Sequence, residues 1–254
     1  MAESSMDEYP LIWMGCVHRN ILTELQKEIT NLLTRLGVNF ETLEKEECCG
    51  FPLILSGHKD KAKEFAESNV HKIGDKKRVV TTCPACYRAF NEFYPNLLGK
   101  KLPFRVSHIT QYYCELIDNG VLKPSILKPL KMKVMYHDPC ELGRHSKIFE
   151  EPRRVLKLIP GLALYEPRFT RELSTCCGGG GLVSAYFPTL SVMVASRKIL
   201  EEDRVPNDVQ AIVTECPQCV NNLQRAWNKD GTPLGIKVYN LAKILNMSLG
   251  DQSD

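Results

Sequence analysis

The sequence predicts an α/β protein of two pseudo-symmetric halves, each a small, mostly parallel sheet flanked by helices, with cysteines at the strand carboxyl ends. Three observations predict it. Short apolar runs rich in β-branched residues alternate with amphipathic stretches of helical period, the pattern of parallel sheets. A five-cysteine pattern occurs twice, as Cys16, Cys48-Cys49-Gly50 and Cys83-Pro84-Ala85-Cys86, then as Cys140, Cys176-Cys177-Gly178 and Cys216-Pro217-Gln218-Cys219. The steps from lone cysteine to pair are 32 and 36 residues, and from pair to C-P-x-C they are 34 and 39, so the chain reads as an internal repeat.

Leu11 to Cys16 is a short apolar run ending in Gly-Cys and reads as a buried strand. A helix follows with Asn20 as its N-cap, an inward stripe of Ile21, Leu22, Leu25, Ile29, Leu32, Leu33 and Leu36, and Gly37 as its stop. Val38 to Leu43 reads as a second strand, leading to Cys48-Cys49. A helix over 57–73 turns Ala62, Phe65, Ala66, Val70 and Ile73 inward, and Arg78 to Thr82 is the strand whose end carries Cys83. Phe104 to Ser107 is a fourth strand, with a helix to about Ile117 behind it. Asn119 to Lys131, with Gly120, Pro124 and Pro129, has the composition of a linker between half-domains at 8–118 and 132–248.

The second half repeats the order. Lys133 to Tyr136 is the strand before Cys140, and a helix starts at Pro152, a residue suited to a first helical turn. A strand at Leu162 to Tyr165, a helix from Pro188 to Arg204 and a strand at Gln210 to Thr214 lead to Cys216. Ile236 to Tyr239 and Asn240 to Met247 close the pattern. Ligand sites in open parallel sheets form beyond the carboxyl ends of strands, where Cys16, Cys83, Cys140 and Cys216 all fall. Each half is therefore expected to collect five thiolates at one edge of its own sheet.

Composition narrows the function. At 254 residues the chain can bury two cores, and 43% hydrophobic with 25% charged residues is ordinary for a globular protein. A net charge of +3 with no basic–aromatic block argues against nucleic acid, and Lys76-Lys77-Arg78 reads as a solvated edge. No segment approaches the roughly 18 apolar residues of a membrane span. The polar stretch Met1 to Tyr9 has no features of a secretory signal, so a cytoplasmic setting is expected and eleven cysteines read as metal ligands rather than disulfides.

Five thiolates exceed the four that a tetrahedral zinc site or a cubane cluster requires. The fifth needs a role, such as bridging irons or acting as a switchable ligand. Adjacent side chains diverge, so a Cys-Cys pair reaches a multi-iron core more readily than one zinc ion, although zinc stays open. Gly178 to Gly181 would let backbone approach a cluster and aim N–H groups at its sulfurs. A phosphate loop is disfavoured, since no Gly-Lys-Ser/Thr follows and the final glycine of a dinucleotide fingerprint is missing.

On these motifs, over about residues 10–245, the sequence resembles the CCG-domain family, and within it the catalytic (B-type) subunit of heterodisulfide reductases. The resemblance implies two [4Fe-4S] clusters of non-cubane type, one held by Cys16, Cys48, Cys49, Cys83 and Cys86 and the other by Cys140, Cys176, Cys177, Cys216 and Cys219. It also implies that a substrate disulfide is cleaved or formed between them. Fused relatives carry a ferredoxin-like C-x-x-C-x-x-C-x-x-x-C-P stretch that this sequence lacks, so the implied partners are a ferredoxin-like iron–sulfur subunit and a flavin-containing subunit. The alternative it leaves is an electron-relay subunit of a flavin-linked hydroxy-acid dehydrogenase.

His18, His137 and His145 lie near cluster cysteines and could donate to sulfur or move a proton, or simply pack. Asp138 invites a catalytic reading beside Cys140. Arg144 and Lys147 could attract an anion, with surface solvation the simpler reading. Cys114, in a helix, reads as a buried free thiol, and Tyr112, Tyr113 and Leu116 as core. Trp13 and Trp227 read as core or rim aromatics.

Overall fold

Each half of the chain builds one parallel sheet, as seen in a computed structural model that describes residues 9–228 and 230–250. The polar N-terminal stretch, apart from Tyr9, lies outside the described residues. In the first half, β1 (Leu11–Trp13), β2 (Arg78–Thr81) and β3 (Arg105–His108) lie in that order, with Trp13 opposite Thr81 and Thr81 opposite His108. In the second, β4 (Met132–Tyr136) has β5 (Leu162–Tyr165) on one side and β6 (Ala211–Val213) on the other, with β7 (Lys237–Tyr239) beyond. The order β1-β2-β3 thus corresponds to β4-β6-β7. What corresponds to β5 in the first half is a single parallel bridge between Leu11 and Glu41.

The strand expected at Val38 to Leu43 therefore does not form. The chain leaves the sheet after Glu41 because Glu46 returns to it. The Glu46 carboxylate accepts the N–H groups of Met14 (2.8 Å) and Gly15 (2.6 Å), which holds the segment leading into Cys16. A side chain does there what a longer strand would have done.

The first helical stretch is also divided. It forms α1 (Cys16–Asn20) and α2 (Thr23–Arg35), with Leu22 rather than Asn20 at the α2 N-cap position. Asn20 instead donates from Nδ2 back to the Cys16 carbonyl at 2.9 Å, since α1 must start at the cysteine. Ile29, Leu32 and Leu33 are buried as expected, whereas Ile21 is exposed.

Three helices complete the first half up to its C-P-x-C helix: α3 (Phe51–Leu55), α4 (Lys59–Ile73) and α5 (Pro84–Arg88). A π-helical turn at Ala89–Phe93, α6 (Tyr94–Leu98) and α7 (Ile109–Asp118) follow. The second half has α8 (Glu150–Leu158), which starts two residues before Pro152, then α9 (Val183–Tyr186) and α10 (Pro188–Arg197). The helix expected to reach Arg204 stops at Arg197 and continues as a π turn, Lys198–Glu202. Two more, α11 (Pro217–Leu223) and α12 (Leu241–Leu249), complete the described helices.

One apolar cluster joins the halves. Ile12 and Val80 of the first sheet, with Leu32, Leu33 and Tyr113, meet Val134, Tyr136, Leu156, Val213 and Leu245 of the second. Removing such surface from water stabilises by about 25 cal/mol per Å². The 119–131 stretch joins this cluster, burying Leu122 and Leu127, and Lys128 donates its N–H to the Ser248 carbonyl at 2.7 Å. Polar ties add to it, with Lys243 on Glu28 at 2.6 Å. The Lys76–Arg78 run is less solvated than expected, as Lys76 pairs with Glu41 at 2.6 Å and Arg78 pairs with Glu115.

His108 caps α7 and is fully buried, and burial lowers its pKa from 6.5 to about 3, with His18 adding a smaller push. Below pH 6.5 the unfolded chain takes up a proton that the folded chain refuses. Its share of stability is complete above that pH and falls on acidification, by about 1.4 kcal/mol per pH unit per proton. His108→Asn keeps an N-cap acceptor but cannot titrate. Urea unfolding between pH 7.5 and 5 is expected to show a shallower decline in this variant.

Candidate metal centre

The ten repeated cysteines line a single cavity of about 410 Å³ between the two halves. Their sequence order places them there in three ways. Cys16 follows β1 through Gly15, whose φ of +81° suits glycine and whose Cβ would stand 3.3 Å from the Cys86 sulfur. Cys83 and Cys216 are the N-cap residues of α5 and α11, each followed by a proline at the first turn, so the second cysteine of each C-P-x-C lies one turn on. The Cys-Cys pairs sit in loops, and each is fixed by a buried asparagine. Asn69 donates to the Cys48 carbonyl at 2.9 Å and Asn222 to the Cys177 carbonyl at 2.7 Å. Tyr94 adds a hydroxyl donor to the Cys49 carbonyl at 3.0 Å.

Within each half the thiols form a chain of neighbours in the same order. Cys16 meets Cys48, then Cys49, Cys86 and Cys83, while Cys140 meets Cys176, then Cys177, Cys219 and Cys216. The Cys177 and Cys219 sulfurs are 3.1 Å apart, and all eleven cysteines are free. Depth repeats too. Cys49, Cys83 and Cys86, like Cys177, Cys216 and Cys219, are buried, whereas Cys16, Cys48, Cys140 and Cys176 reach the solvent side.

Charge follows the same symmetry. Donation from Cys16 and then Cys49 holds the Cys48 pKa at about 3. Donation from Cys140 and then Cys177 holds that of Cys176 at about 2. Sharing a proton with these thiolates, together with burial, pushes Cys16 and Cys140 well up. A thiolate is the metal-binding form of cysteine, so each row holds a thiol biased towards that form, and in the first half donation from Cys86 lowers the Cys83 pKa as well.

The glycine run meets part of its expected role and adds another. The Gly178 N–H points to the Cys176 sulfur at 3.3 Å and that of Gly179 to the Cys177 sulfur at 3.4 Å, as the sequence suggests. The absence of side chains serves protein packing, because a Cβ on Gly178 would lie 2.8 Å from the Ser191 carbonyl and one on Gly179 2.8 Å from the Asn222 Cβ. Gly180 and Gly181 line the cavity with nothing within 4 Å of an added Cβ.

The remaining candidates separate clearly. His18 is buried outside the cavity lining, with Nδ1 3.1 Å from the Met14 carbonyl and 2.9 Å from the Thr82 hydroxyl. His145 is exposed and 4.0 Å from Glu141. His137 is buried close to Cys177 and Cys219. Arg144 donates to the Glu172 and Ser174 carbonyls and so tethers the loop before Cys176. Cys114 is buried 3.6 Å from the Glu151 carbonyl, away from the cavity. Trp13 is core, and Trp227 lines a separate surface groove.

Asp138 is structural rather than reactive. Both its oxygens accept from Arg153 (2.7 and 2.6 Å), and it accepts the Arg171 N–H at 2.8 Å and the Thr170 hydroxyl at 2.9 Å. Burial opposes its ionisation, yet Arg153 and these donors keep its pKa below the ordinary value. This knot ties the segment before Cys140 to the loop that carries Cys176. No motif in the sequence points to Arg153, although its place three residues before the buried Leu156 is a signal that could have found it. Across the cavity, Arg88 of α5 reaches Glu141 at 3.1 Å, linking the first C-P-x-C helix to the residue after Cys140.

Among the described residues the lining holds no lysine, arginine or histidine, and outside the cysteines it is mostly apolar, with Val17, Phe51, Leu55, Leu182 and Ala185. Among the described residues no helix is long and apolar enough to cross a membrane.

The chain is 37% identical over 242 residues to one subunit of the dihydromethanophenazine:CoB–CoM heterodisulfide reductase of Methanosarcina barkeri, covering 93% of this chain and 58% of that one. It is 30% identical to one subunit of the fumarate reductase (CoM/CoB) of Methanothermobacter marburgensis, over 93% of this chain and 46% of that one. A probable iron–sulfur-binding oxidoreductase of Bacillus subtilis is also 30% identical, over 94% of this chain and 34% of that one. The chain thus spans between about a third and three-fifths of the length of these relatives. The family model for the CCG cysteine-rich domain matches twice, at residues 11–91 and 134–224, and with both copies of the motif facing one cavity the chain belongs to that family.

Proposed function

We propose that the chain is an iron–sulfur oxidoreductase module of heterodisulfide-reductase type, its half-domains at 8–118 and 132–248 each holding one [4Fe-4S] cluster of non-cubane type. The observation that carries the reading is the convergence of two complete five-thiol rows on one cavity. The donors fit: sulfur only, largely buried, with a thiolate in each row, and one more ligand per row than a tetrahedral zinc would take. When bound, iron–sulfur clusters supply electrons one at a time, and two on one cavity match the two electrons that thiol–disulfide interconversion moves.

The chain's own residues shape that chemistry. Cys16, Cys48, Cys140 and Cys176 leave the solvent-facing side of each row within reach of a small disulfide or thiol. Val17, Phe51, Leu55 and Leu182 exclude water around it, and the lining's one carboxylate, Glu141, is matched by Arg88. An uncharged substrate suits such a wall better than an anion does. With no histidine in the lining and its carboxylate held by Arg88, the wall offers thiols rather than a free general base to a substrate's sulfurs. Electrons would enter or leave through a ferredoxin-like iron–sulfur subunit and a flavin-containing subunit. The likeness to a fumarate reductase component favours one second reading, an electron relay in a flavin-linked complex.

Iron and acid-labile sulfide on protein purified without oxygen are expected at about eight of each per chain. Reduced protein should then be reoxidised by the neutral probe 2-hydroxyethyl disulfide. Reoxidation by a quinone alone would replace the first reading with the relay. Zinc without sulfide, persisting after anaerobic reconstitution, would overturn both.

A further inference from the structure

His137 is 1% exposed, and neither ring nitrogen has a hydrogen-bond partner in the protein. Leaving a buried polar group unmatched costs about 1–3 kcal/mol, so an orphaned imidazole calls for an explanation. The other two buried histidines need none on this scale, since His18 and His108 each bond through Nδ1. A ring nitrogen of His137, the Cys177 sulfur and the Cys219 sulfur all lie within 4.8 Å of one another. These are two of the three deep thiols of the second row. His137 is held there by its backbone, whose N–H donates to the Val213 carbonyl at 2.9 Å and extends the β4–β6 ladder by one step.

The ring's chemistry is specific. An imidazole carries at least one ring N–H in either tautomer, so a donor stands among these sulfurs. Lys198 is engaged by Asp203 at 2.9 Å and the Thr175 hydroxyl at 3.1 Å, so the His137 ring joins the Gly179 N–H as a donor beside the sulfurs. In the first half the residue three places before the lone cysteine is Trp13, whose indole N–H is also buried without a partner and whose ring packs edge-on against Phe90 at 5.0 Å, but His137 has its two neighbouring sulfurs within 4.8 Å.

We infer that His137 is a positioning residue that directs a ring N–H at the Cys177–Cys219 sulfurs and thereby raises the reduction potential of the cluster in the second half. The inference rests on the iron–sulfur reading above. A hydrogen bond to a ligating sulfur withdraws negative charge and favours the electron-rich state. A cluster held by Cys140, Cys176, Cys177, Cys216 and Cys219 would accept one electron from its reductant, and His137 would take up neither electron nor proton.

The test is a redox titration followed by electron paramagnetic resonance, on the full chain purified without oxygen, for wild type, His137→Phe, His137→Asn and His137→Gln. In the phenylalanine variant one of two midpoint potentials is expected to fall by about tenfold in equilibrium constant, 59 mV for one electron, while the other stays. The amide variants, whose N–H groups stand in for the two ring nitrogens, are expected to restore at least part of the fall. Unchanged potentials with iron present would overturn this inference alone. So would a loss of iron that neither amide variant restores. A wild-type protein without iron would overturn the underlying reading as well.

Discussion

Arg153→Met is expected to destabilise the protein by about 3–5 kcal/mol, the cost of leaving a buried charge without its partner. Arg153 is fully buried and donates to Asp138 through two nitrogens, to Glu166 at 2.7 and 3.0 Å and to Thr170 at 2.6 Å. Methionine fills much of the volume, so the loss reports on charge more than on a cavity. Asp138 is then stranded at 3% exposure with only the Arg171 N–H and the Thr170 hydroxyl. Adding Asp138→Asn removes the stranded charge and should recover a large part of the loss, which urea unfolding of both variants would measure. If the single variant unfolded like wild type, the knot would not hold the Cys140 segment to the Cys176 loop.

Gly178→Ala should have the second-largest effect, and Gly180→Ala almost none. At Gly178 the backbone has φ +80°, and an added Cβ would stand 2.8 Å from both the Ser191 carbonyl and the Val194 Cβ. The left-handed backbone costs a non-glycine residue about 1–2 kcal/mol and overpacking adds about 1–3 kcal/mol. At Gly180 φ is not positive and nothing lies within 4 Å, so the change should stay within about 0.5 kcal/mol. Neighbouring glycines in one run would thus differ by several kcal/mol in unfolding experiments. Because Gly178 follows the Cys176-Cys177 pair, its variant should also bind less iron.

What is legible in the sequence and what is not divides along physical lines. The thiol positions can be read because they depend on local order: a cysteine at a strand end or a helix N-cap is placed by its neighbours, as Cys83 and Cys216 are. The strand expected at Val38 to Leu43 fails because a carboxylate just beyond it, Glu46, takes over the bonds to the distant end of β1, and propensity cannot register such competition. Asn20 has the right chemistry for a cap, but a helix beginning at Cys16 claims it. Local pattern gives each sheet edge its own site. That both rows open on one cavity depends on how α2, α7, α8 and α12 pack between the sheets, which no local pattern encodes. The glycine run is visible, yet its reason at Gly178 and Gly179 lies in the Ser191 and Asn222 contacts made by other helices.

The apolar cluster shared by the two halves has a consequence for how the protein comes apart. A duplicated chain could melt in two steps, one per copy, but here Leu33 and Tyr113 of one copy are sealed by Val134 and Leu245 of the other. Loosening either copy turns the apolar face of its twin to water, so the two should unfold together in a single cooperative transition. Should proteolysis cut the chain within 119–131, the fragments would be expected to remain associated, each serving as the missing wall of the other.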